Sequence, residues 1–334
     1  MLRYPESGAR NGWAFVVRGW IKLLVRGRDA HVFDSCNKAL ELHYKERIME
    51  GKETLPQSES GNFRSYDGHE LYEQWWRPQS DPRAGVVIVH GVCEHSGRYD
   101  EAAGFLTGRG YAVDAFDLRG HGKSEGKTVY VESFDDYLND LDVFLDRVRK
   151  KLPDKPVFLL GHSMGGGICL LYCITRQPDI QGVIVSAPSV KISDDISPFL
   201  QKISSVLSKF FPRLPAVKLE TKDLSRDPEV LKRRDNDPLV YQGKILARTG
   251  AEILQATQRI QGQMDKISRP ILILHGTEDR LADIEGSKML YAGVKEKDKT
   301  IKIYDGLYHE VMNEPEKEQV LNDIIAWMND HTPN

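Results

Sequence analysis

A chain of 334 residues, 40% apolar and 28% charged, has enough hydrophobic material for one large globular domain or two smaller ones, and its composition excludes a disordered or fibrous protein. The net charge of −3 removes nucleic acid as an expected partner. Four cysteines (Cys36, Cys93, Cys169 and Cys173) form no CxxC pair and are too few for a disulfide framework, so a reducing, cytoplasmic setting is expected.

In chain order, residues 1–60 read as an N-terminal helical extension. The apolar stretch 13–25 is shorter than a membrane span, contains Arg18 and Lys22, and is followed by no signal-peptide cleavage pattern. As a helix, residues 13–28 place Arg18, Lys22 and Arg26 opposite Trp13, Val16, Trp20, Leu23 and Leu24. That pattern suits an anchor lying in a membrane surface, and it suits docking onto the protein's own body or a second subunit equally well. Phe33, Cys36, Leu40 and Ile48 suggest a second helix.

Residues 61–187 alternate apolar runs with helical patterns. Segments 62–66 and 70–76 flank Asp67-Gly68, a strong hairpin signal. The runs 84–90, 111–116, 156–160, 182–186, 270–274 and 299–304 are short, rich in Val, Ile, Leu and Phe, and bounded by Gly, Pro or charge. Such runs read as strands buried on both faces of a parallel sheet. A helix is expected from Ser133, with Asp136 completing a capping box and Phe134, Leu138, Leu141, Leu145 and Val148 forming one apolar stripe. The fold class is therefore α/β, with a mostly parallel sheet, flanking helices and an antiparallel start. Residues 188–268 interrupt the alternation with irregular, largely helical sequence, expected to be an inserted cap, and 269–334 resume the core. Within the cap, Ile196, Phe199, Leu200, Ile203, Val206, Leu207 and Phe210 recur at helical spacing. This stripe either packs onto the core or lines an acyl tunnel and faces lipid.

The chemistry gathers at strand ends. Gly161-His162-Ser163-Met164-Gly165 is a G-x-S-x-G directly after a strand and before a helical stretch. In that context the motif is a strained turn that lifts a serine hydroxyl above the sheet, which makes Ser163 the expected nucleophile and the Met164 N–H a candidate oxyanion donor. The bland alternative is a glycine turn used for close packing. Of ten histidines, His309 stands apart, in a loop after the last strand, and is the expected general base. The acid should come from Glu278 or Asp279 in His275-Gly276-Thr277-Glu278-Asp279, with Asp279 favoured because it lies beyond the glycine turn. Asp305 could instead serve as a turn former before Gly306. The loop after the first parallel strand offers the Val92 N–H as second oxyanion donor, with Gly91 allowing close approach. Its H-x-x-x-E-H spacing fits no zinc-hydrolase motif, so no metal is expected.

Four segments together carry a family resemblance: His90-Gly91-Val92-Cys93-Glu94-His95-Ser96-Gly97-Arg98-Tyr99, Phe116 to Gly126, Gly161 to Gly166, and Ile303 to His309. Asn236-Asp237-Pro238-Leu239 and His275 to Arg280 add to it. Over about residues 61–330 the chain resembles the monoacylglycerol lipase (monoglyceride lipase/lysophospholipase) family of serine α/β-hydrolases. The resemblance implies an eight-stranded α/β-hydrolase core under a helical cap and hydrolysis of a monoacylglycerol to fatty acid and glycerol through an acyl-enzyme, with no cofactor. It implies a Ser163–Asp279–His309 triad and oxyanion donors Val92 and Met164. It also places Glu94 and Arg98 at the glycerol end of the pocket, where an ion pair fixing the loop is an equal reading. Asp117, Arg119 and His121 look like a structural turn, and Cys93 is either a buried small residue or a reactive thiol. Expected partners are a monoacylglycerol or other single-chain lipid ester and, through residues 13–28 and the cap, a membrane surface. A lysophospholipase, a general carboxylesterase and a non-catalytic scaffold of the same fold are the competing readings.

Overall fold

The computed structural model describes residues 58–191 and 208–333. The expected N-terminal helices, and the cap stripe apart from Phe210, lie outside the described residues. One eight-stranded sheet organises the rest. Strands β1 (Glu59–Arg64) and β2 (Glu70–Trp76) form the antiparallel start, closed at Gly68, whose φ of 92° needs a residue without a side chain. Strands β3 (Ala84–Val89), β4 (Tyr111–Phe116), β5 (Val157–His162), β6 (Gly182–Ser186), β9 (Ile271–Gly276) and β10 (Lys299–Tyr304) are mutually parallel, and the sheet order is β1-β2-β4-β3-β5-β6-β9-β10. The remaining pair, β7 (Pro215–Val217) with β8 (Ile245–Leu246), is a separate antiparallel ribbon.

The continuous apolar runs follow from burial on both faces. Val87 and Val89 of β3 face one side, in a cluster with Phe144 and Leu145 of α2 (Phe134–Lys151) and Ile168 of α3 (Met164–Arg176). Val86 and Ile88 face the other, with Leu106 of α1 (Asp100–Thr107) and Ile324 and Trp327 of α7 (Lys317–His331). Each such side chain contributes about 1.5–3 kcal/mol by leaving water. Ser133 caps α2 and Asp136 completes the box, and all five residues of the expected stripe are buried. The last run departs from expectation. Among the described residues β10 pairs only with β9; it carries Lys299 and Lys302, and its Ile303 is exposed. It is an edge strand, where lysines discourage pairing with a further strand.

The inserted zone, in its described residues, contains strand as well as helix. Its described part holds the β7–β8 ribbon, α4 (Pro228–Asp235) and α5 (Ala247–Gln263), and Ala256 and Ile260 of α5 join the core cluster that contains Ile168. Back in the core, α6 (Ile284–Gly293) follows β9.

Strand order reverses at β3: the chain steps outward from β3 to β4, then returns to the other side with β5. Loops at the carboxyl ends of β3 and β5 therefore diverge and open a crevice, the place where open α/β sheets bind ligands. Gly91 and Ser163 stand at those two ends.

Candidate active site

Ser163 links β5 to α3 with φ 53° and ψ −117°, a conformation L-residues seldom adopt. The surrounding structure holds it there. Its N–H donates to the Ser186 carbonyl (2.9 Å), and its own carbonyl accepts from the Gly167 and Ser189 amides (3.1 Å each). A Cβ at Gly161 would lie 2.4 Å from the Gly165 oxygen, and one at Gly165 would lie 2.1 Å from the Val89 oxygen. Both glycines are thus required by contact with backbone that cannot move. Met164 is the first residue of α3, so its N–H has no acceptor in its own helix.

His309 and Asp279 meet through Nδ1 and Oδ2 at 2.8 Å. The other carboxylate oxygen of Asp279 accepts from the amides of Leu281 (2.8 Å) and Ala282 (3.0 Å). Oδ2 also lies 3.1 Å from His275 Nε2, and His275 Nδ1 lies 2.7 Å from Ser287 Oγ. Burial disfavours the Asp279 anion, yet the neighbouring His309 and His275 outweigh it and hold the carboxyl well below the usual range. For His309 burial pulls the imidazole down, while Asp279 first, then Glu310 and Glu94, carry the net shift upward. Glu278 is exposed, and Asp305 sits in an exposed turn where it accepts from Thr277 Oγ1 (3.3 Å). The structure therefore brings Asp279, not Glu278 or Asp305, to His309.

The loop after β3 is fixed by a histidine that sequence reasoning passed over. His90 Nδ1 lies 2.7 Å from the Gly91 carbonyl oxygen, and its Nε2 accepts from the Leu118 amide (2.9 Å). This assigns the Nδ1–H tautomer. Burial lowers the His90 pKa, which keeps the ring neutral. Because the peptide is trans, tying back the Gly91 carbonyl turns the Val92 N–H the opposite way. A Cβ on Gly91 would come within 3.4 Å of Ser163 Cβ, so this loop lies directly against the serine.

Glu94 and Arg98 form an ion pair beneath the loop. Arg98 Nη1 donates to Glu94 Oε2 and to Glu310 Oε1 (2.7 Å each), and Nη2 donates to Glu310 Oε2 (2.8 Å). Glu310 is absent from the expected site, because a carboxylate beside His309 in sequence gives no sign of a partner more than two hundred residues away. Asp117 accepts from Ser96 N and Oγ and from Lys123 N, and Arg119 is held by Asp140 and Asp67, so both serve the loop scaffold. Cys93 is buried, and burial pushes its thiol up to about 12, which leaves it inert.

The described part of the inserted zone bears on both site loops. His95 Nε2 lies 2.8 Å from Asp237 Oδ2, and the Tyr241 amide donates to the Cys93 carbonyl (3.2 Å). On the other side the Glu310 amide donates to the Leu224 carbonyl (2.8 Å), and Arg226 Nε donates to Glu314 (3.0 Å). No cluster of potential metal ligands occurs among the described residues, and no described helix is long and apolar enough to cross a membrane.

Comparison with known proteins gives concordant matches. The family model described as Hydrolase_4, serine aminopeptidase S33, matches residues 80–316, more than half of the chain. The monoacylglycerol lipase of Mycolicibacterium smegmatis is 36% identical over 81% of this chain and 96% of its own length. The crystal structure of the Paleococcus ferrophilus monoacylglycerol lipase superposes with a TM-score of 0.72 at 35% identity, covering 78% of this chain and 99% of that one. A soluble variant of the Saccharomyces cerevisiae monoglyceride lipase, solved with a substrate analogue, gives 0.76 at 27% identity, covering 85% and 97%.

Proposed function

The chain belongs to the Hydrolase_4 (serine aminopeptidase S33) family and, within it, to the monoacylglycerol lipases; from that membership we propose that Ser163, Asp279 and His309 act as nucleophile, acid and base on the ester bond of a monoacylglycerol. The enzyme is a carboxylic ester hydrolase that releases fatty acid and glycerol through an acyl-enzyme. The observation that carries the assignment of roles is the 2.8 Å contact between Asp279 and His309, made by loops that leave adjacent strand ends near a strained serine.

Ser163 Oγ attacks the ester carbonyl while His309 takes its proton. Asp279 keeps the His309 proton on Nδ1 and stabilises the imidazolium that forms. The Val92 and Met164 amides receive the negative charge that develops on the carbonyl oxygen, each worth about 10²–10³ in rate. His309 then protonates the leaving glycerol alkoxide, and water deacylates the enzyme by the same steps. No step needs a metal or cofactor. Segment 188–268 is read as the cap, a reading supported by the contacts of its Asp237 and Arg226 with the two site loops.

Monoacylglycerols of graded chain length should be hydrolysed in preference to triacylglycerols and p-nitrophenyl esters of short acids when all are assayed side by side. Turnover confined to lysophospholipids would replace the proposed head group, and inactivity on the whole panel would overturn the enzyme reading.

Access to a lipid surface is read from the cap. Phe210, Phe211, Leu214 and Val217 are 68%, 62%, 44% and 39% exposed, and Lys209, Arg213 and Lys218 alternate with them. Exposed aromatics among cations suit the headgroup region of an anionic bilayer. Replacing Phe210 and Phe211 together by serine should lower co-sedimentation with phosphatidylserine-containing vesicles and leave hydrolysis of a dissolved short-chain ester unchanged. Equal sedimentation of both proteins would remove the cap from this role.

A further inference from the structure

The triad reading uses His309 but leaves unexplained why the next residue, Glu310, is a carboxylate buried to 4% exposure. Burying an anion is costly unless it is paired, and here the pairing has a direction. Both oxygens of Glu310 are engaged by the guanidinium of Arg98, at 2.7 and 2.8 Å, and Asn313 Nδ2 adds a further bond at 2.9 Å. Arg98 passes the connection to Glu94 Oε2 (2.7 Å). The other oxygen of Glu94 accepts from the Gly91 amide (2.5 Å) and from Tyr99 Oη (2.9 Å). Gly91 in turn lies against Ser163.

We infer that Glu310 is a positioning residue of the reaction: through Arg98 and Glu94 it bolts the loop that carries His309 to the loop that carries Val92, and so fixes the spacing of base and oxyanion donor across Ser163. This inference rests on the triad proposed above and adds a residue that never touches substrate.

The connection is made of charge-assisted bonds between buried partners, and the Arg98–Glu310 half is bidentate, so it sets orientation as well as distance. His309 lies on a loop after β10, at one edge of the sheet, whereas Gly91 follows β3, with β5, β6 and β9 between the two strands. No backbone pairing of the sheet joins these loops directly, and the ion cluster supplies the tie.

The cluster is also electrically unbalanced. Two carboxylates share one guanidinium, and the surplus negative charge faces the imidazole that becomes positive in the transition state. The groups around His309 are Asp279 from the loop after β9, His275 near the end of β9 itself, His162 at the end of β5, Glu310 on its own loop, and Glu94 with Arg98 from the loop after β3. His162, with its ring centre 4.7 Å from that of His309, is pushed down to about 4 by burial first and by His309 second, so it stays neutral at working pH. Glu310 and Glu94 both shift the His309 pKa upward. Glu310→Gln keeps the shape and removes the charge. It should therefore lower the pH at which His309 loses its proton, and the acid limb of kcat/KM should move to lower pH. Loss of fold alone would not move the limb in that direction.

The test is a comparison of the full-length wild type with Glu310→Gln and Glu310→Asp on a dissolved p-nitrophenyl ester, across pH, with the active serine counted by a fluorophosphonate. For Glu310→Gln we expect kcat per labelled serine to fall about ten- to a hundredfold, the cost of a small misplacement of reacting groups. KM should stay within about threefold, since substrate binding is not what the residue serves. Glu310→Asp, which keeps the charge on a shorter arm, should leave the acid limb near that of the wild type while recovering only part of kcat. Wild-type kcat per labelled serine in Glu310→Gln, or an unmoved acid limb, would overturn the inference and leave the triad standing. A loss that vanishes once activity is divided by labelled serine would reduce Glu310 to a stability role and overturn it as well. A wild type that neither labels nor turns over would instead bring down the triad and this inference together.

Discussion

Replacing Ser163 by alanine should lower kcat/KM on monoacylglycerol by about 10⁴- to 10⁶-fold, the range seen when a triad serine is removed while binding and oxyanion stabilisation persist. The protein should remain folded. Ser163 holds its strained backbone through main-chain bonds to Ser186, Gly167 and Ser189, none of which uses the hydroxyl. Alanine tolerates a φ of 53° no worse than serine, so the elbow stays formed and the melting temperature should move little. Two measurements check this: the rate of fatty-acid release, and labelling by a fluorophosphonate, which should vanish. Activity within tenfold of the wild type would take the nucleophile's role from Ser163. An inactive variant that has also unfolded would be replaced by Ser163→Cys, whose side chain restores the volume and an attacking atom.

Much of this site and its fold is legible in the sequence, for identifiable reasons. The strands at 111–116 and 182–186 coincide residue for residue with their apolar runs, because burial on both faces selects apolar residues at most of their positions, and 299–304 coincides as well although it lies at the sheet edge. The elbow is legible because its glycines answer to backbone atoms only 2.1–2.4 Å from where a Cβ would sit, a constraint no other residue meets. What escapes is whatever depends on a distant partner. β10 reads as buried because its apolar content resembles that of its neighbours, yet among the described residues no strand lies on its outer edge. The β7–β8 ribbon is too short, at three and two residues, to show a period. His90 looks like a strand terminus, and only the position of the Leu118 amide reveals that it orients the Gly91 peptide. Glu310 belongs to the same class. Its neighbours in sequence give no cue, since it is recruited by an arginine 212 residues away.

The neighbours of Asp279 make its replacement by asparagine more informative than its removal. In the wild type Oδ1 accepts from the Leu281 and Ala282 amides, so that oxygen can only be an acceptor. In Asp279→Asn the amide must keep its oxygen there, because turning the NH₂ group towards two N–H donors would bury opposed hydrogens without an acceptor. The NH₂ group then faces His309 Nδ1, where the wild type presents Oδ2. A donor at that position requires Nδ1 to accept, which moves the imidazole proton to Nε2. His309 is then in the tautomer that cannot take a proton from Ser163. The expected result is a fall in kcat of about 10⁴ near neutral pH with geometry preserved. The acid limb set by the raised His309 pKa should also drop, because the anion that stabilised the imidazolium is gone. His275, whose Nε2 lies 3.1 Å from the same oxygen, can meet the other hydrogen of the new amide by shifting its own proton to Nδ1, where Ser287 Oγ is placed to accept it. The substitution therefore costs little stability. A proton NMR or pH–rate comparison showing His309 unchanged in tautomer and Asp279→Asn within tenfold of wild-type kcat would mean that the carboxylate does not govern the base, and that the acid of the triad must be sought elsewhere in the loop after β9.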